Sequence, residues 1–369
     1  MAPLDDFIAF AASTDAASDF LKRSPLKFMQ SPILANVIRG ATVESIHRGH
    51  FIVMDGGGKM ITTVGDPATV TFFRSSCKPF QAMPLVTSGA ADAFGFDESE
   101  IALACASHSG EPAHVATAQS MLDKTGLKEA DLLCGTHLPF SDAEAKRMLR
   151  SGMEPTQLHN NCSGKHAGML AVAKHVGADT GTYCDPRNPV QQMILEATSL
   201  FTEIPKNKIQ IGIDGCAAPN FALPLSSMAK SFVNLIRPES FSDNVRAACS
   251  RIVNAMIKFP ELIGGTERLD TMLMQAVPGK LISKVGADGV WLCAAAPSEK
   301  WPEGLAIALK IEDGDDKLAR PVVAVEILRK LEILSNADLP DVSPMPIKNR
   351  RGDSVGKITP VSFELTDDS

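Results

Sequence analysis

The stretch Arg74-Ser75-Ser76-Cys77-Lys78-Pro79 continues as Phe80-Gln81-Ala82-Met83-Pro84-Leu85. Proline suits a first helical turn, so a helix is expected to open near Pro79. Residues three apart on a helix share a face, which lets Ser75 and Lys78 point the same way. A lysine beside a serine carries chemistry only if its amine can be neutral. Otherwise the pair is a capping serine and a surface lysine, and a lone Ser-x-x-Lys does not choose between the two.

Working outward, the chain has 369 residues, enough for one large domain or two closely joined ones, and 44% of them are hydrophobic, enough for a real core. A net charge of −7 argues against nucleic acid or an anionic membrane as the main partner. No apolar run has the length of a membrane-spanning helix. The first thirty residues, with Asp5, Asp6, Asp15 and Asp19, lack a basic start followed by an apolar stretch, so no signal peptide is expected. The eight cysteines have no CxxC spacing and read as mostly buried thiols in a reducing, cytoplasmic setting.

Along the chain, Ala41 to Met54 and Met60 to Val64 read as strands joined by the turn Asp55-Gly56-Gly57-Gly58. Helices are expected from Glu111 to Thr125, closed by Gly126, from Ser141 to Leu149, from Gly164 to Val176 and from Pro189 to Phe201. Asp243 to Phe259 and Lys317 to Leu334 are helical as well. Ile209 to Asp214, Ile282 to Cys293 and Leu305 to Ile311 read as strands. The organisation is a tail over 1–30, one compact α+β unit of sheet flanked by helices over 31–340, and a Pro- and Asp-rich closing segment over 341–369 expected to be loosely held.

Serine–lysine chemistry invites comparison with S-x-x-K, S-D-N, K-T-G enzymes. Ser242-Asp243-Asn244 and Lys124-Thr125-Gly126 are both present, but in reversed order, the first placed as a helix N-cap and the second as a helix end. Both read as coincidences. Four polar clusters do interrupt apolar runs: Cys105-Ala106-Ser107-His108-Ser109, Asn161-Cys162-Ser163-Gly164-Lys165-His166, Asp214-Gly215-Cys216 and Ser283-Lys284 with Gly286-Ala287-Asp288. Strand ends and helix starts are where sites form, because the scaffold is rigid there and backbone N–H groups lie free. Taken singly, a bonded Ser107 or a snorkelling Lys284 needs no function.

Together with Arg39-Gly40, Val43-Glu44-Ser45, His47-Arg48-Gly49, Arg74-Ser75, Lys78-Pro79 and Thr271-Met272-Leu273-Met274, these clusters resemble, in order from Arg39 to about Leu334, the Rhizobium etli type L-asparaginases, also called the asparaginase II family. The other two asparaginase classes do not fit, since the chain has neither a TGGTIA-like start nor an autoprocessing threonine. The resemblance implies a serine β-lactamase/glutaminase-like fold, a homodimer, and an asparaginase domain that hydrolyses L-asparagine to L-aspartate and ammonia through a serine acyl-enzyme. It implies two catalytic Ser–Lys tandems, Ser75 with Lys78 and Ser107 with Lys284, with Ser75 as nucleophile, Lys78 as its base and Ser107 as relay. For that role an amine must fall from ~10.4 to ~7–8, at a cost of roughly 3–5 kcal/mol in stability.

The resemblance also implies a zinc ion held by Cys162, Lys165 and Cys216, with Arg74, His166 and Asp214 serving the substrate or the ligands. Family members carry a cysteine before Thr-Met-Leu-Met where this chain has Asp270, an aspartate that could take the substrate's ammonium. Two rival readings stay open. One is a glutaminase or other Ser–Lys amidase on the same fold, since one methylene changes binding by only ~1–3 kcal/mol. The other is a non-catalytic zinc- or metabolite-binding homologue, against which stands the retention of Ser75, Lys78, Ser107 and Lys284.

Overall fold

The computed structural model describes residues 30–364, so all of the expected tail but its last residue lies outside it. The strands are β1 (Ile33–Arg39), β2 (Thr42–Asp55), β3 (Met60–Val64), β4 (Val70–Phe72), β5 (Gln210–Ile213), β6 (Pro219–Pro224), β7 (Leu281–Val285), β8 (Val290–Ala295), β9 (Leu305–Ile311), β10 (Met345–Lys348) and β11 (Ser354–Pro360). Eight form a large sheet in the order β10-β11-β1-β2-β9-β8-β7 with β3 beside β2, and β4-β6-β5 form a small one. Every pairing is antiparallel.

The pleat of the large sheet divides two cores. Phe51, Val53, Trp291, Cys293, Ile307 and Leu309 point to one side, and their neighbours Ile52, Met54, Leu292, Ala294, Ala306 and Ala308 to the other. With both faces covered, β8 and β9 are almost unbroken apolar runs rather than alternating ones. Helix Ala319–Lys330 covers the first face. Helices Pro112–Thr125, Ser163–Val176, Pro189–Thr202, Leu225–Ile236 and Asp243–Lys258 build the second core. The same alternation decides one functional position. In β7, Ile282 belongs to the helical side and Leu281 and Val285 to the other, so Lys284 must enter the helical layer.

Most expected elements form, with two differences. The run from Ile282 to Cys293 is not one strand but the hairpin β7–β8, which turns at Asp288 and Gly289, both at positive φ (56° and 74°). The closing segment is not loose, because it supplies β10 and β11, and β11 pairs with β1 while burying Ile358. Its prolines are compatible with this because β10 is an edge strand, where Pro346 need not donate on the open side. All eight cysteines are free and buried. Among the described residues no helix is long and apolar enough to cross a membrane.

Candidate active site

Strand β4 leads through Phe73 into a tight helical turn, Arg74–Cys77, and then into helix Lys78–Gln81. Phe80 anchors this corner, with ring centroids 5.7 Å from Phe73, 5.1 Å from Phe201 and 5.8 Å from Phe232. Arg74 sits at φ 54°, a left-handed conformation that costs a non-glycine residue roughly 1–2 kcal/mol. Its N–H donates to Asn220 Oδ1 (3.0 Å), and its guanidinium lies 3.1 Å from Asp214 and 3.3 Å from Asp288. These contacts offset the strain and turn Ser75 toward a cavity of about 770 Å³.

Lys78 and Lys284 meet over one hydroxyl. Lys78 Nζ donates to Ser107 Oγ (3.0 Å) and to the carbonyl oxygen of Ala106, and lies 3.1 Å from Cys162 Sγ. Lys284 Nζ donates to the same Ser107 Oγ (2.9 Å), to Val285 O (3.1 Å) and to Asp270 Oδ2 (3.3 Å). Both amines are cut off from solvent, at 1% and 0% exposure. Burial, reinforced by the nearby Lys78 and Arg268 cations and opposed by Asp270, pushes Lys284 down to about 8.

Lys78 therefore reaches Ser107 rather than Ser75, its expected partner. An ammonium has three protons to place, and the acceptors clustered beyond Ser75 take them. Ser75 is half-buried, lines the cavity, and has a hydroxyl without a hydrogen-bond partner among the described residues. Asp270 does not line the cavity. It is 1% exposed and its carboxylate accepts from Ser283 Oγ (2.7 Å), the Val285 N–H (2.9 Å) and Lys284, so it supports the lysine instead of meeting a substrate's ammonium.

The cysteine cluster lies next door. Lys165 Nζ donates to Cys216 Sγ (3.0 Å), and the pKa of Cys162 is raised while that of Cys216 is lowered. The hydrogen bond from Cys162 and the Lys165 charge hold Cys216 well below an ordinary thiol. The thiolate in turn overrides burial and raises Lys165. His166 Nδ1 lies 2.7 Å from the Tyr183 hydroxyl, and the imidazole also stands beside the Cys216 sulfur. Burial lowers this imidazole to about 4, so it is neutral. Among the described residues no three His, Cys, Asp or Glu cluster as a metal site, so a metal held by Cys162 and Cys216 needs Lys165 as its third ligand.

A model of the L-asparaginase II family matches residues 35–360. The chain belongs to that family. It is accordingly an amidohydrolase. Similar solved structures include a Bacillus subtilis glutaminase (12% identity, 78% of this chain and 89% of that one, TM-score 0.36) and a β-lactamase from Burkholderia ambifaria (14%, 76% and 94%, 0.35). No curated protein is similar enough to count as a relative.

Of the residues expected in the family's site, Ser75, Ser107, Arg74, Cys162, Asp214 and Cys216 line the cavity. Lys78, Lys165, Lys284, His166 and Asp270 lie in its buried wall. The strings Ser242-Asp243-Asn244 and Lys124-Thr125-Gly126 are elsewhere, at a helix start and a helix end. Sequence reasoning passed over Asp288, Arg268, Phe140 and Tyr183. Asp288 stood inside a quoted motif and Tyr183 is the chain's single tyrosine, but nothing in the local pattern marked the other two.

Lys284 titrates near 8 in the folded chain and near 10.5 in the unfolded one, so the unfolded chain binds more protons between those values and stability rises with pH across them. The unfolding free energy of the natural protein should gain on that of Lys284→Met by up to ~1.4 kcal/mol per pH unit in that window. Denaturant unfolding of both proteins across it is the check, and a pH-independent difference contradicts the depressed amine.

Proposed function

We propose that the chain hydrolyses the side-chain amide of L-asparagine, with Ser75 as nucleophile. The observation that carries this reading is the division of labour between the two serines. Ser107, 3% exposed, has its hydroxyl oxygen spent between two lysine amines, whereas Ser75 presents an unengaged hydroxyl to the cavity. Ser75 Oγ adds to the amide carbon and its proton passes into the Ser107–lysine network. The C–N bond then breaks, ammonia carries a proton away, and water hydrolyses the resulting ester to L-aspartate. A lysine near 8 is poised for this work, because it is neutral in part at physiological pH and can both take and return a proton.

Two amines against one hydroxyl also favour a second reading, in which Ser107 itself attacks. A cavity of about 770 Å³ admits glutamine as readily as asparagine, so size does not separate the two amides. Asparagine stands first on the family assignment.

The zinc site belongs to the same proposal. Two sulfurs and a lysine side chain converge, with Cys216 held below an ordinary thiol, Lys165 needing to release a proton in order to bind, and the neutral His166 beside them, which supports a fit to zinc. Cys162, Cys216 and Lys165 would hold the ion, which would supply a Lewis-acidic anchor for the substrate. Lys78 would then stand between that ion's sulfur ligand and Ser107. A homodimer remains part of the reading on the family resemblance.

Ammonia release from L-asparagine and L-glutamine decides between the serines. Ser75→Ala should lose at least ~10³-fold in kcat, and Ser107→Ala less. Loss confined to Ser107→Ala exchanges their roles, and no turnover of either amide by metal-replete protein sinks the hydrolase reading of this site. Purified protein should carry about one zinc per chain, lost in Cys216→Ser. Metal-free natural protein that binds no added zinc removes the ion from the account.

A further inference from the structure

Three guanidinium groups line the cavity, and two are neutralised within the protein. Arg74 is shared by Asp214 and Asp288, and Arg320 is paired with Asp316. Arg268 is the exception. Among the described residues no carboxylate comes within ion-pairing distance of it, and no side-chain or carbonyl acceptor hydrogen-bonds its guanidinium. It packs instead on the face of Phe140, 5.4 Å from the ring centroid, and Phe140 is stacked on His137 at 4.7 Å. The aromatic shelf fixes the plane of the guanidinium but satisfies none of its five donors. Burial disfavours this cation, and Asp270, Asp316 and Glu111 offset that only from beyond ion-pairing distance, which leaves its donors open to an anion that arrives with the ligand.

Its position suits that anion. Arg268 stands at the start of helix Leu269–Ala276, two residues before the Asp270 that supports Lys284, and it lines the cavity close enough for its charge to act on Lys284. We propose that Arg268, rather than Arg74, holds the α-carboxylate of the amino-acid substrate, as a bidentate pair on a planar fork. This rests on the amidohydrolase reading above. Asp214 lines the same cavity, and because Asp288 also holds Arg74, its carboxylate is left to meet the α-ammonium. Specificity for a free α-amino acid then comes from two opposite charges lining one cavity, and an amide lacking the carboxylate has nothing to offer Arg268.

The test compares L-asparagine with 3-aminopropanamide, the same molecule without its α-carboxylate, in the natural protein, Arg268→Gln and Arg268→Lys. Arg268→Gln should lose roughly 10²-fold more in kcat/KM for L-asparagine than for the truncated amide, any loss common to both reporting the Arg268 charge felt by Lys284, with Arg268→Lys between. Equal losses on both amides overturn the proposal. Calorimetric binding of L-aspartate and β-alanine separates this proposal from the activity itself and decides where turnover of the truncated amide is too slow to read. If the natural protein hydrolyses neither amide yet binds L-aspartate, and Arg268→Gln abolishes that binding, the hydrolase reading fails and the carboxylate anchor stands. L-Aspartate bound equally by both proteins, or by neither, overturns the anchor.

Discussion

Two buried lysine amines against one hydroxyl are the constraint on which the site depends. Lys78 and Lys284 are both shielded from water and share Ser107 Oγ at 3.0 and 2.9 Å. Asp270 keeps the arrangement from collapsing, since its carboxylate favours the charged form of Lys284 while burial and the neighbouring cations disfavour it. The balance leaves an amine that changes state near neutral pH, which is what proton transfer in amide hydrolysis requires. The sheet imposes the geometry: the β7 pleat that sends Ile282 into the helical core sends Lys284 after it.

Around this centre the wall of the cavity is built from opposed charges. Asp214 and Asp288 hold Arg74 in its left-handed turn and so present Ser75, while Lys78 touches both Ser107 and Cys162 and joins the serine network to the cysteine cluster. A change in the sulfur chemistry at Cys162 is therefore felt by the amine that serves Ser107. Only the Lys284–Asp270 pair is fully buried, and removing either partner there leaves an uncompensated charge in the low-dielectric interior.

The helices were legible in the sequence because their ends are written in local chemistry: Gly126, Gly152 and Gly177 close three of them in left-handed geometry, and Ser141 and Asn188 accept backbone N–H groups at two starts. Strands that depend on distant partners were not. β1 and β11 make sense only as each other's neighbours, and the proline-rich stretch that carries β10 and β11 looks like a loose end until that pairing is known. The site divided in the same way. Its serines, lysines and cysteines stood in recognisable clusters, but the partner of Lys78 could not be read from spacing, because a long side chain passes the residue three positions away to reach better acceptors. Asp270 looked like a ligand-facing acid and proved to be a buried counter-charge, a distinction that depends on which side of β7 the helix packs. Arg268 gave no signal, since an arginine's significance here lies in the absence of a partner.

The central claim is that the half-buried, cavity-lining Ser75 supplies the attacking oxygen and the lysine-flanked Ser107 does not. Acid-quenched protein, mixed briefly with L-asparagine, digested and read by mass spectrometry, tests it most directly. The account predicts an aspartyl ester on the peptide containing Ser75. The same ester on the peptide containing Ser107, with Ser75 unmodified, would contradict it.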